Sequence, residues 1–153
     1  MVQFSFTVEG EEQVSRMLSR TTEKIADMAP FFQAAGVLMQ TSMEEQFGTE
    51  GGRTGGWAPL SERYAADKAK KYGSRPILQA SGALIGSLVG GGGGHIERVQ
   101  GNDTLEFGSS IPYGTYHQTG TSRMPQRRIL DLTDGDRRSL MKLLQRHMFG
   151  ARL

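Results

Sequence analysis

The sequence predicts an α+β fold in which an antiparallel sheet packs with long N-terminal helices and a C-terminal helix. Three observations carry that prediction. Apolar and polar residues alternate over residues 2–8, the apolar period then lengthens to that of a helix through residue 47, and two β-rich stretches flank a Gly-Asn-Asp turn at 101–103.

Taken in order, Val2, Phe4, Phe6 and Val8 alternate with Gln3, Ser5, Thr7 and Glu9, the pattern of a half-buried strand that Gly10 ends. From Glu11 onward, Val14, Met17, Leu18, Ile25 and Met28 fall on one helical face. Glu11 and Glu12 occupy its first turn, where the helix dipole favours acids. Pro30 marks either a kink or the start of a second helix, along which Phe32, Ala35, Met39, Met43 and Phe47 continue a stripe to Gly48. Residues 48–56, GTEGGRTGG, read as a flexible loop with little prospect of burying anything. A short helix is expected from about Ser61 to Lys71, with Lys68, Lys70 and Lys71 at its basic end and Gly73 stopping it. Ile77 and Leu78 read as a short extended piece, and Ser81 as the cap of a helix holding Leu84, Ile85 and Leu88. The five glycines at 90–94 predict a mobile loop. Strands over 95–100 and 104–108 follow, with Leu105 and Phe107 on one face. Thr133 and Asp136 have capping-box spacing. They open a last helix that carries Leu140, Leu144 and Met148 on one stripe, with Leu143 and His147 beside it, and ends at Gly150.

The chain has 153 residues, the size of a single domain spanning 1–153, and 37% hydrophobic residues, a modest core. It has no cysteine, which excludes a disulfide framework and a thiolate metal site. No apolar run suits a membrane span, and the N-terminus has neither a basic n-region nor a long apolar h-region, so no membrane association and an intracellular protein are expected. Charge is unevenly spread. Residues 1–50 hold three Lys/Arg against eight Asp/Glu, net −5, whereas 123–153 hold eight against three, net +5. Three arrangements follow from that asymmetry: two faces of one monomer, copies joined acidic face to basic face, or a basic tail that meets phosphate.

Little in the sequence points to catalysis. His95, His117 and His147 form no i, i+4 pair and no HExxH, so zinc has no support. No serine stands in a GxSxG elbow, and the glycine run lacks the Lys-Ser/Thr of a phosphate-binding loop. Glu44 and Glu45 are adjacent on a helix and point apart. His117 is the strongest chemical candidate, four residues after Tyr113 and on its face if the segment is helical. It reads as a buried structural ring that donates and accepts hydrogen bonds, or as a general base for which the sequence names no partner acid.

Four segments carry a resemblance. PYGTYHQTG is similar to the YAxxHQfG signature of a phage virion morphogenesis family, the tail completion proteins of Mu-like and P2-like phages, through Tyr113, His117, Gln118 and Gly120. Thr119 stands where that signature has an aromatic. MPQRRILDL resembles the family's MPaRPFLGL through Met124, Pro125, Arg127, Leu130 and Leu132, with Arg128 for proline, Ile129 for phenylalanine and Asp131 for glycine. WAPLSERYAADK offers Trp57, Pro59, Leu60 and Lys68, and ILQASGALIGSL offers Leu78, Ser81, Gly82, Leu84 and Ser87. The segments come in family order over residues 57–132.

The resemblance implies a structural, non-enzymatic virion protein without cofactor or metal. It would act at the head–tail junction as a tail completion or neck connector protein, binding other virion proteins and forming a homo-oligomeric ring on assembly. Its place would be the host cytoplasm during assembly and then the virion. The motif residues then serve the fold: Tyr113 and His117 anchor by ring burial, Gln118 satisfies stray backbone groups, Gly120 supplies a turn, and Pro125 fixes the approach to a following strand. Arg123, Arg127, Arg128, Arg137 and Arg138 are the expected interface. The alternatives are a terminator capping the tail tube, a small hydrolase using His117, and a DNA-binding module over 123–146, weak DNA contact being compatible with a neck protein as well.

Overall fold

A computed structural model describes residues 11–150 of the chain, so the strand expected over residues 2–8 lies outside the described residues. The architecture is α+β. Helices α1 (Glu11–Ala26), α2 (Ala29–Gly48), α3 (Glu62–Tyr72) and α4 (Ala83–Leu88) come first. The hairpin of β1 (His95–Gln100) and β2 (Thr104–Ser109) follows, and α5 (Pro112–Thr119) and α6 (Asp134–Phe149) close the fold. The hairpin is antiparallel, with His95 opposite Ser109 and Gln100 opposite Thr104.

Local chemistry explains most boundaries. Pro30 falls in the first turn of α2, where its missing N–H costs nothing, and it starts that helix instead of kinking it. The capping box of α6 is complete: Thr133 Oγ1 accepts the Asp136 N–H and the Asp136 carboxylate accepts the Thr133 N–H at 2.9 Å. Gly73 ends α3 by donating its N–H to the Ala69 carbonyl. At α4 the cap position belongs to Gly82, and Ser81 still helps by accepting the Ala83 N–H.

The core sits where α2 crosses α4 and the loops at 57 and 129. Met43, Phe47, Trp57, Leu84, Leu88 and Ile129 form one buried cluster, against which Phe107 of β2 packs. The rings of Phe47 and Trp57 meet edge to face with centroids 5.2 Å apart, and burial of each large side chain contributes about 2–3 kcal/mol. Helix α6 lies against both α2 and α1, and its Leu140, Leu144 and Met148 are half-buried.

Two expectations are corrected, and one helix face is left open. Residues 48–56 do bury groups. Gly51 is buried at φ 84, a Cβ there would strike the Trp57 ring, and the Arg53 side chain, 10% exposed, lies under α6. Its guanidinium donates to Asp136 at 2.5 and 2.6 Å and to the Ser42 carbonyl at 3.0 Å, and pairs with Glu45 at 3.1 Å. Ile77 and Leu78 are not extended. They lie in a turn closed from the Pro76 carbonyl to the Gln79 N–H, with Leu78 at φ 62. The apolar face of α1 finds little cover within the described residues: Val14, Met17, Leu18 and Ile25 are all exposed, although α6 lies against this helix.

The glycines at 90–94 begin as a hydrogen-bonded turn in which the N–H groups of Gly91 and Gly92 both reach the Gly86 carbonyl. At the hairpin tip, Asn102 donates to the carbonyls of Ile25 and Ala26 at 2.9 and 2.7 Å, capping α1 from a distant part of the chain.

Candidate functional site

The four motif segments, distant in sequence, meet around one cleft of about 1000 Å³. Pro59 and Leu60 enter from the stretch before α3, and Lys68 from α3 itself. Leu78, Ser81 and Gly82 come from the turn before α4, and Leu84 from its start. Helix α5 contributes Tyr113, Tyr116 and His117, and the loop after it contributes Arg123, Met124, Pro125 and Arg127.

Trp57, Gly120 and Gln118 are among the motif residues outside the lining, and they hold the cleft's walls. Trp57 donates its Nε1–H to the Arg128 carbonyl at 2.8 Å. Gly120 takes φ 73, and a Cβ on it would come within 2.9 Å of the Gln126 nitrogen, so the turn needs glycine. Gln118 does most. Its Oε1 accepts the N–H groups of Ile129 and Leu130, each at 2.9 Å, and its Nε2 donates to the Leu130 carbonyl at 2.7 Å. One side chain thus replaces a ladder partner for an irregular segment. The strand expected after Pro125 does not form, and Gln118 is the reason the segment needs none. Gln118→Leu orphans three backbone groups beside buried Ile129, for an expected loss of about 3 kcal/mol that urea denaturation reads directly. A wild-type midpoint in that variant contradicts the assignment.

The aromatic pair behaves in part as expected. Tyr113 and His117 share a face of α5, edge to face with centroids 6.3 Å apart. Tyr113, however, is an exposed ring on the cleft and not a buried anchor, because α5 turns that face toward open space and not toward the core. His117 is half-buried, and its Nδ1 is buried without a hydrogen-bond partner among the described residues. Burial pushes the imidazole below its ordinary pKa, and the nearby charge of Arg127 acts in the same direction, so the ring is neutral at pH 7.

The expected interface arginines divide. Arg123, Arg128, Arg137 and Arg138 are exposed, with Arg128 paired to Asp131 at 3.2 Å. Arg127 is corrected: it is 4% exposed, and its Nε and Nη2 donate to the carbonyls of Ala58 and Pro59 at 2.8 and 2.9 Å. It ties the loop after α5 to the Trp57 segment and offers little outward surface. Burial lowers its pKa, with Tyr64 opposing. Lys68 is likewise buried, its Nζ donating to the carbonyls of Arg75 and Pro76, and its pKa is lowered chiefly by burial. The sequence marks Lys68 as part of a basic helix end and as a motif position, and neither reading announces its burial. Lys68 is the one buried residue of α3, whereas Lys70, Lys71 and Tyr64 are exposed.

No cluster of three or more His, Asp or Glu suited to a metal occurs among the described residues. No helix among them is long and apolar enough to cross a membrane.

Loops gathered by side-chain-to-backbone bonds around an open cleft define a protein whose motif maintains a shape. A family model described as the phage virion morphogenesis family matches residues 10–149, and the chain belongs to that family. Compared with the curated proteins and with the solved structures, the chain finds no match. Family membership puts the chain among proteins of phage virion assembly and associates it with the virion.

Proposed function

We propose that the chain acts at the junction of phage head and tail, as a tail completion or neck connector protein, through protein–protein contacts and as a homo-oligomer once assembled. The family match over residues 10–149 is the observation that carries this reading. The geometry supports a non-enzymatic contact protein. The motif's polar groups are spent on the chain's own backbone, as at Gln118 and Arg127. Meanwhile Arg123, Arg137 and Arg138 and the apolar face of α1 stay exposed. Opposite net charge at the two ends of the chain suits head-to-tail contacts that close into a ring. Assembly would take place in the host cytoplasm.

Electron microscopy of lysates from a phage lacking this gene tests the reading. Filled heads beside separate tails are expected. Tails of irregular length would transfer the protein to termination of the tail tube, and normal joined particles would overturn a role in assembly.

A further inference from the structure

We infer that the cleft is a docking site for an extended segment of a neighbouring virion protein, one that presents a carboxylate among apolar side chains. The inference rests on the assembly reading above and gives it a place on the molecule.

The charge of the cleft comes first. Lys68, Arg123 and Arg127 line it, and no aspartate or glutamate among the described residues does. Lys68 and Arg127 are 5% and 4% exposed, and neither is hydrogen-bonded to a carboxylate among the described residues, although the charge of Glu50 acts on Lys68 from farther off. The hydrogen bonds of each go to neutral carbonyl oxygens, two for Lys68 and two for Arg127. A buried cation normally has a counter-charge, since carbonyl dipoles offset only part of its lost hydration. Donors also remain: one proton of the Lys68 ammonium and both protons on Arg127 Nη1 have no partner among the described residues. Low-dielectric walls focus the field of such charges into the cleft.

The walls come second. Leu60, Leu84 and Met124 are apolar, and the rings of Tyr64 and Tyr116 stand exposed at the edge. Tyrosine gives contact area at low entropic cost and is enriched where proteins bind proteins.

An acidic peptide fits these features better than nucleic acid. A phosphate backbone is followed by a track of exposed Lys and Arg, whereas here two of the three cations sit at depth, and the exposed Arg137 and Arg138 lie outside the lining.

The test is selection of a displayed library of random twelve-residue peptides on the full chain, followed by fluorescence anisotropy with the synthetic winner. Enrichment of Asp or Glu within apolar context is expected. Arg123→Glu weakens that peptide about tenfold or more, and Tyr116→Ala weakens it as well, while both keep the wild-type circular dichroism because both side chains are exposed. Changing the peptide's acids to their amides has the same effect as Arg123→Glu.

No enrichment, winners without acids, or full affinity in both variants overturns the inference. Displacement of the peptide by a DNA oligonucleotide gives the cleft to nucleic acid, and self-association abolished by Arg123→Glu without peptide binding gives it to a second copy. A phage carrying Arg123→Glu that no longer binds the peptide yet makes joined particles sinks this inference alone. Normal particles from the gene deletion sink the assembly reading, whatever the peptide does.

Discussion

Asp136→Ala is expected to cost this protein about 3–5 kcal/mol, the range for removing one partner of a buried ion pair. The substitution strands Arg53, whose side chain is 10% exposed and whose guanidinium loses both contacts to the carboxylate at 2.5 and 2.6 Å. It also removes the acceptor of Ser42 Oγ at 2.7 Å and half of the capping box that starts α6. Urea denaturation at pH 7 measures the loss, and a midpoint within error of wild type rules the network out as a major support. Acid should reproduce part of the effect. Burial alone raises the Asp136 pKa, but hydrogen bonds from Arg53, Thr133 and Ser42 outweigh it and hold the carboxyl at about 2, against an ordinary 3.8. A depressed carboxylate stabilises the fold fully above its unfolded value and loses that contribution as pH falls through its folded value. The window here is therefore about pH 4 down to about 2, and the contribution at stake is about 2 kcal/mol. Asp136→Asn should flatten stability across that window.

Arg127→Glu is expected to break the monomer, not merely its contacts. The change places a carboxylate against the Ala58 and Pro59 carbonyls in a site that is 4% exposed in the parent. The two charge-assisted bonds vanish and repulsion replaces them, for a loss of about 3–5 kcal/mol. Arg127→Lys keeps the charge but not the fork, and a loss of about 1–2 kcal/mol is expected. Thermal melts of the two variants separate these cases. A Glu variant that melts like wild type but fails to assemble would return Arg127 to the surface.

Much of this fold was legible because its signals are local. The stripe along α2, the hairpin around residues 101–103 and the Thr133–Asp136 box each depend on spacing within a few residues, and each is present. The role of Gln118 was legible too, since an amide beside a chain that leaves the ladder has backbone groups to satisfy. What composition hid were partners distant in sequence. Glycine content made 48–56 read as empty, but Arg53 within it meets Asp136, whose charge nothing nearby announces. Arginine at 127 looked like a surface cation because its partners are main-chain carbonyls, which leave no mark in a sequence. The apolar spacing of α1 gave the helix correctly, but spacing says nothing of what covers a face, and Val14, Met17 and Leu18 remain exposed.

The fastening of α1 has a mechanical consequence. Its side-chain ties to the rest of the described chain all fall on its last turn: Asn102 holds the carbonyls of Ile25 and Ala26, and His147 holds that of Lys24 at 2.9 Å. The helix is thus a lever with its pivot at one end. Sixteen residues give it a length of about 24 Å, so a pivot of about 10° carries the far end about 4 Å. A load applied near Val14 is delivered as torque to the last turn, where the Asn102 amide at the hairpin tip and the His147 ring of α6 share it.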